Sequence, residues 1–424
     1  MFNVKKIFFL LFLTVFTAEL NHASSIDAYA DNLNAGVILS NSQGEILYSR
    51  NPEKQFIPAS ILKILTSLAA FDILGKEYHF STQYWFDEKS RDLYIKGLGD
   101  PLLISETIKR LSDKIILTLK TREREPGYIE SGQINNIIID QSFFAKQIKI
   151  PGKKTSLNPY DASIGALSAN FNTINFKWDS HNNRYVSAEP QTPLLSIFYD
   201  DIKKTKLLQG RIILSQQESI LYPGLLIKYF LEKSGLTING SVQPGKLDTT
   251  NKNIESFQSP FKLTQIVQKL LKYSNNFMAN QLLLTMGAKV SGEPATLEKG
   301  TRALKLFLKQ NLNRKAKQQS KQMAKQMATW QNIKIYEGSG LARSNLITPD
   351  QMLKILLKFM PYYSLLKNQG NDFYKTGTLS GVRTRAGYIM GADNKLYPYV
   401  IMVNQKGKGY EPILSNLMHR VSKL

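Results

Sequence analysis

The chain has 424 residues, 42% of them apolar and 21% charged, which excludes a wholly disordered polymer and leaves room for two or three domains with a large core. It contains no cysteine, so disulfides, thiolate metal sites and cysteine nucleophiles are excluded together. A formal net charge of +22 favours anionic partners through long-range attraction.

Lys5 and Lys6 precede an apolar run from Ile7 to Phe16, followed by small and polar residues through Ser24 and Ser25. The run is too short to span a bilayer, and its order is that of a secretory signal, so residues 1–24 are expected to direct export to the periplasm. A retained anchor is the alternative. In an exported protein the positive charge would meet anionic membrane, envelope polymers or an acidic protein. Nucleic acid, the usual partner of so basic a chain, is not expected there.

Ala35 to Ser40 and Glu45 to Ser49 are strand-like runs flanking Asn41-Ser42-Gln43-Gly44, which predicts a hairpin. After Phe56-Ile57-Pro58-Ala59-Ser60 a mostly apolar stretch runs to Leu74 and stops at Gly75. Proline near the start and glycine past the end predict a helix opening at about Ser60. From His79 to about Thr250 short strands and turns dominate, as at Asp92–Lys96, Asn136–Ile139 and Arg211–Leu214. Only brief helical stretches such as Pro223–Ser234 are expected there, so residues 79–254 read as a mainly β insertion. Helical periodicity resumes from Phe261 with Ile266, Leu270, Leu271, Met278, Leu282 and Leu283. Residues 314–327 are a tandem Lys-Gln repeat that would align Lys317, Lys321 and Lys325 on one stripe if helical. The plain reading is a solvated face, the sharper one a docking surface for anionic envelope material. Gly387–Met390 and Tyr397–Val403 read as strands, and Pro412–Val421 as a final helix. Strands at both ends with helices between them predict an α+β domain, residues 25–78 and 255–424, closed by joining the two ends.

Three short strings carry chemistry: Ser60-Ile61-Leu62-Lys63, Ser274-Asn275-Asn276 and Lys375-Thr376-Gly377. Each recurs by chance elsewhere, the first as Ser259/Lys262 and Ser364/Lys367, so context must select. Ser60 opens an apolar helix, and a lysine three residues on shares its face. A serine is a poor nucleophile until a neighbouring base takes its proton, and an amine serves as that base only when desolvated or near other positive charge. The Ser274 hydroxyl could pass a proton to a leaving amine, while the Asn276 amide holds a substrate carbonyl and orients Lys63. Lys375 would supply positive charge, Thr376 a hydroxyl for a substrate carboxylate, and Gly377 close backbone approach. The N–H groups of Ser60 and Thr378 would form an oxyanion hole.

An S-x-x-K, S-D-N and K-T-G set is the signature of β-lactamases and penicillin-binding proteins. With the long gap between Ser60 and Ser274, the chain resembles the D-Ala-D-Ala carboxypeptidase/endopeptidases of the penicillin-binding protein 4 type, the peptidase S13 family. Further strings carry the same resemblance: Pro58-Ala59-Ser60, Gly97-Leu98-Gly99-Asp100-Pro101, Asp140-Gln141-Ser142-Phe143-Phe144, Gly338-Ser339-Gly340-Leu341 and Lys375 through Gly381. The resemblance implies a serine-peptidase domain, an antiparallel sheet flanked by helices, with inserted material, acting on peptidoglycan stem peptides and acylated by β-lactams. It implies no cofactor. Asp140 would recognise the free amine of the stem peptide, although read alone it merely caps a turn. The chain departs from the family at Asn275, where aspartate is common, and at Lys153-Lys154, where a tryptophan is expected after Pro151-Gly152.

The four histidines have no metal-ligand spacing, so no metal is expected, and the lack of a G-x-S-x-G elbow counts against an α/β-hydrolase. A β-lactamase or esterase on the same scaffold is the first alternative, and a non-catalytic envelope-binding protein the second.

Overall fold

The computed structural model describes residues 33–122, 133–153, 162–248, 250, 254–311, 330 and 332–424. The expected signal segment 1–24 and the Lys-Gln repeat 314–327 lie outside the described residues. The chain divides into two compact units: Met1–Leu65, Leu312–Ile335 and Arg343–Leu424 form the first, Thr66–Asn311 and Tyr336–Ala342 the second.

The first unit is built on one sheet of six strands: β1 (Ala35–Ser40), β2 (Ile46–Arg50), β3 (Lys367–Gln369), β4 (Asp372–Leu379), β5 (Val382–Met390) and β6 (Leu396–Val403). Their spatial order is β3-β4-β5-β6-β1-β2, and every neighbouring pair is antiparallel. The expected hairpin is present, with Asn41 Oδ1 accepting the N–H groups of Gln43 and Glu45. Val37 faces Ile401 across β1 and β6, so strands from the two ends of the sequence close the sheet as expected.

Every residue of β1 is buried, because both faces of this central strand are covered. Ala35, Val37 and Leu39 point to one face, where they form a core with Tyr399 and Ile401 and with Ile413, Leu417 and Val421 of the helix Glu411–Val421. On the other face a Cβ at Gly36 would lie 2.4 Å from the Phe56 ring and 2.6 Å from Pro349, so only glycine permits this approach. Pro349 opens the helix Pro349–Phe359, whose capping box pairs Thr348 with Gln351. Tyr388 of β5 donates its hydroxyl to Leu356 O of that helix at 2.6 Å.

The second unit holds a mixed five-stranded sheet in the order Val242–Pro244, Ile137–Asp140, Asp92–Gly97, His79–Asp87, Glu255–Lys262. Ile137–Asp140 runs parallel to both of its neighbours. A three-stranded sheet and a two-stranded pair accompany it. The α+β class therefore holds, but the expectation of only brief helices in this span is corrected. Ser105–Arg122 and Gln216–Lys233 are helices of 18 residues each. The first hides behind its charges: Ile108, Leu111, Ile115 and Leu119 form a narrow buried stripe among Lys109, Arg110, Asp113 and Lys114. The second starts at a capping box, Ser215 with Glu218, and continues through Pro223, which marks no start. Both helices pack their apolar faces into one core with Leu93, Ile95, Ile137 and Ile139.

The helix Asn276–Ser291 is buried continuously from Phe277 to Ala288, which makes it the central helix of this unit. No helix among the described residues is long and apolar enough to cross a membrane.

Candidate active site

Ser60 sits in a single 3₁₀ turn, Ala59–Ile61, that leads directly into the helix Leu62–Ile73. The segment before it is pinned from strands distant in sequence. Thr384 Oγ1 donates to Pro58 O at 2.7 Å, and Asn404 Oδ1 accepts the Ile57 N–H at 2.7 Å. These bonds hold Ala59 at a φ of 48°, a left-handed conformation that a non-glycine residue adopts only when its surroundings impose it. Lys63, fully buried, donates from Nζ to Ser60 Oγ at 2.9 Å. The two atoms are within the distance over which a proton is passed.

Lys375, Thr376, Gly377 and Thr378 all lie on β4, paired with β5 in the register Lys375 to Ala386 and Gly377 to Thr384. Alternation puts Lys375 and Gly377 on one face, Thr376 and Thr378 on the other. A Cβ at Gly377 would fall 2.8 Å from Ser60 N and 2.3 Å from Thr384 Oγ1, so glycine is what lets β4 lie against the serine. β3 pairs only with Asp372–Tyr374. Beyond Tyr374, the second edge of β4 carries no strand among the described residues, which leaves backbone groups for an extended ligand. Arg385 anchors the strand from the opposite face: its Nε donates to Asp372 Oδ2 at 3.1 Å and to Tyr399 OH at 2.9 Å, and its guanidinium lies 3.4 Å from the Tyr374 ring.

Lys375 is buried and donates from Nζ to Thr376 O at 2.7 Å. Burial, with a smaller contribution from the charge of Lys367, pulls its pKa down to about 7. The ammonium is therefore charged below about pH 7 and neutral above it. The apparent second-order constant for acylation by a carboxylate-bearing penicillin is expected to have a falling limb above that pH, at most about tenfold per unit. Lys375→Arg, which cannot titrate in this range, is expected to remove that limb at a lower absolute rate. A wild-type profile that stays level from pH 7 to 8.5 would reject the assignment.

In the second unit, Ser274 closes the helix Leu263–Tyr273 in the left-handed conformation, with φ at 55°. Asn275 then caps the helix Asn276–Ser291, its side chain accepting the Met278 N–H at 3.0 Å. An aspartate would cap equally well, so the departure from the family at Asn275 is conservative in structure. Asn276 occupies the first helical position, and its carbonyl accepts Asn280 Nδ2 at 3.2 Å.

Asp140 ends its strand fully buried, one oxygen accepting the Ser142 N–H at 2.7 Å and the other the Leu247 N–H at 2.9 Å. It also lines a cavity of about 610 Å³ with Gln141, Phe144, Lys146 and Lys246. The turn-capping arrangement is thus present, at the wall of a cavity large enough for a side-chain-sized ligand.

Ser60 and Lys63 therefore come together with Lys375 through Thr378 in the first unit, while Ser274, Asn276 and Asp140 belong to the second. The rival pairs do not form such a site. Ser259 is buried in its strand, whereas Lys262 is exposed and pairs with Glu77. Ser364 is exposed in the 3₁₀ segment Met360–Leu365, and Lys367 is exposed on β3. Sequence reading passed over Thr384 and Asn404, since neither belongs to a motif.

A sequence model of the D-Ala-D-Ala carboxypeptidase 3 (S13) family matches residues 21–204 and 205–362. A D-alanyl-D-alanine carboxypeptidase of Actinomadura sp. (strain R39) is 22% identical over 85% of this chain and 76% of its own length. The D-alanyl-D-alanine carboxypeptidase DacB of Haemophilus influenzae is 22% identical over 92% of this chain and 90% of its own. The crystal structure of penicillin binding protein 4 (dacB) from Haemophilus influenzae superposes with a TM-score of 0.70 at 19% identity, covering 94% of this chain and 98% of that one. That protein has also been solved in complex with a β-lactam. Matched across most of its length, the chain belongs to the D-Ala-D-Ala carboxypeptidase 3 (S13) family and is an enzyme of the serine-peptidase type.

Proposed function

We propose that the protein is a D-Ala-D-Ala carboxypeptidase and/or endopeptidase that trims peptidoglycan stem peptides or cleaves the D-Ala cross-links between them. The observation that carries this reading is Lys63 Nζ at 2.9 Å from Ser60 Oγ, beside a strand whose Gly377 lets it lie against the serine. Lys63 takes the Ser60 proton as Oγ attacks the carbonyl carbon of the penultimate D-Ala. The N–H groups of Ser60 and Thr378 stabilise the oxyanion, and Lys375 with Thr376 holds the terminal carboxylate. The C–N bond breaks, the leaving nitrogen takes a proton through Ser274, and water then hydrolyses the Ser60 ester. Asn276 holds the substrate carbonyl and orients Lys63, and Asp140 receives the free amine of the stem peptide at its cavity.

A β-lactam presents a strained amide and a carboxylate to the same groups, so penicillin would acylate Ser60. The transpeptidase-like catalytic domain would comprise residues 25–78 and 255–424, with 79–254 inserted. Export through residues 1–24 would place the enzyme in the periplasm. Its surplus positive charge would add weak association with anionic membrane or envelope polymers.

The purified protein is expected to form a stable adduct with a fluorescent penicillin and to release D-Ala from a stem peptide or resolve cross-linked dimers. Rapid penicillin turnover without D-Ala release would identify a β-lactamase or esterase. Absence of labelling would identify a non-catalytic envelope-binding protein.

A further inference from the structure

We propose that Glu337 and Asn280 are positioning residues for acylation, acting through Asn276 and through Thr66, one turn along the helix from Lys63. The proposal rests on the catalytic reading above and gives a role to the Glu337-Gly338-Ser339 string, which that reading leaves without one. Glu337 is fully buried. Its Oε2 accepts the Ser339 N–H at 2.7 Å, the Ser339 hydroxyl at 2.6 Å and Asn280 Nδ2 at 3.2 Å, while Oε1 accepts the Ala342 N–H at 3.3 Å. A Gly-Ser-Gly string is ordinarily free to move; here a single carboxylate gathers it into a fixed loop.

Asn280 joins that loop to the central helix. Its Nδ2 is shared between Glu337 and Asn276 O, and its Oδ1 accepts the Gly338 N–H at 2.8 Å. The carbonyl of the same residue is held by Thr66, whose hydroxyl donates to Gly338 O at 2.6 Å. Thr66, Asn280 and Ser339 are all buried. A Cβ at Gly338 would lie 2.8 Å from Ala279 O, so glycine is needed for the loop to approach the helix this closely. Gly338 is thereby tied through its N–H to the helix that begins at Asn276 and through its carbonyl to the helix that carries Lys63.

Neither Glu337 nor Asn280 needs to touch substrate for this to matter. Phe277, Met278, Leu282 and Leu283 give the central helix its apolar packing, so the network is needed for orientation rather than for burial. A displacement on the order of 1 Å at a catalytic group costs about 10²-fold in rate.

Stopped-flow acylation of the full chain by a fluorescent penicillin tests the proposal with Asn280→Ala, Glu337→Gln, Thr66→Val and Thr66→Ser. Glu337→Gln must turn an amide NH₂ toward at least one of the N–H donors that the carboxylate now accepts. For Asn280→Ala and Glu337→Gln, the rate constant at saturating penicillin is expected to fall about 10–100-fold. The half-saturating concentration should stay within about twofold of wild type, because Lys375 and Thr376, which hold the carboxylate, are unchanged. Thr66→Val is expected to slow acylation about tenfold, and Thr66→Ser, which keeps the hydroxyl, to restore it. If labelled sites react at the wild-type rate and only the labelled fraction drops, the network is structural and the proposal fails. It fails equally if Thr66→Val matches Thr66→Ser, a comparison that decides even where Asn280→Ala does not fold. Ser60→Ala serves as the control: labelling that survives it overturns the catalytic reading, whereas silent Ser60→Ala with fast Asn280→Ala overturns the positioning alone.

Discussion

Ser60→Ala is expected to abolish covalent labelling by penicillin and to lower turnover of a D-Ala-D-Ala peptide by about 10⁵–10⁶-fold, the scale seen when a serine peptidase loses its nucleophile. The expectation follows from how much of the local structure converges on this one oxygen. Thr384 and Asn404 fix the Pro58 and Ile57 backbone, Ala59 is held left-handed, and Lys63 Nζ reaches Oγ at 2.9 Å. No other serine of an S-x-x-K string has such an environment. Ser259 is buried within a strand and Lys262 pairs with Glu77; Ser364 is exposed. Ser259→Ala and Ser364→Ala are therefore expected to label like wild type. Peptide mapping of the adduct by mass spectrometry should find the added mass on the fragment containing Ser60. An adduct on any other serine, or one that persists in Ser60→Ala, would refute the assignment.

The parts of this site that depend on spacing within one element were legible in the sequence. Ser60 and Lys63 share a face because three residues make nearly one helical turn, and Lys375 and Gly377 share one because strands alternate. The closure of the sheet was legible too, since apolar strand-like runs stand at both ends of the sequence with helices between them. What aligns these parts was not legible. Thr384 reaches Pro58 and Asn404 reaches Ile57 across more than three hundred residues, and no local pattern encodes such a bond. The ion pair of Arg385 with Asp372 under β4 was hidden for a similar reason: charged residues on a strand look like solvent-facing positions until another layer covers them. Asn275 illustrates the reverse. As a motif position it carries no assigned chemical role, yet its side chain caps the central helix of its unit.

Lys63→Met is the second change with a large expected effect, and it separates chemistry from packing. Lys63 is among the largest fully buried side chains of the protein, a fact that the S-x-x-K string does not reveal. Lys63→Ala would therefore leave a cavity as well as remove the amine, at a cost of about 2–5 kcal/mol. A loss of activity in that variant would not by itself identify a base. Methionine keeps the unbranched stem and nearly the volume, and it removes an amine whose burial is itself unfavourable. Lys63→Met is thus expected to keep the wild-type thermal midpoint or exceed it, whereas Lys63→Ala should melt several degrees lower. Acylation by penicillin should fall in both, by about 10²–10⁴-fold, the usual contribution of a positioned general base. The measurement is the acylation rate constant beside the melting curve for each variant. If Lys63→Met labels within tenfold of wild type, another group deprotonates Ser60. If neither Lys63→Met nor Lys63→Ala folds, the amine itself holds the structure together, and the loss of activity says nothing about proton transfer.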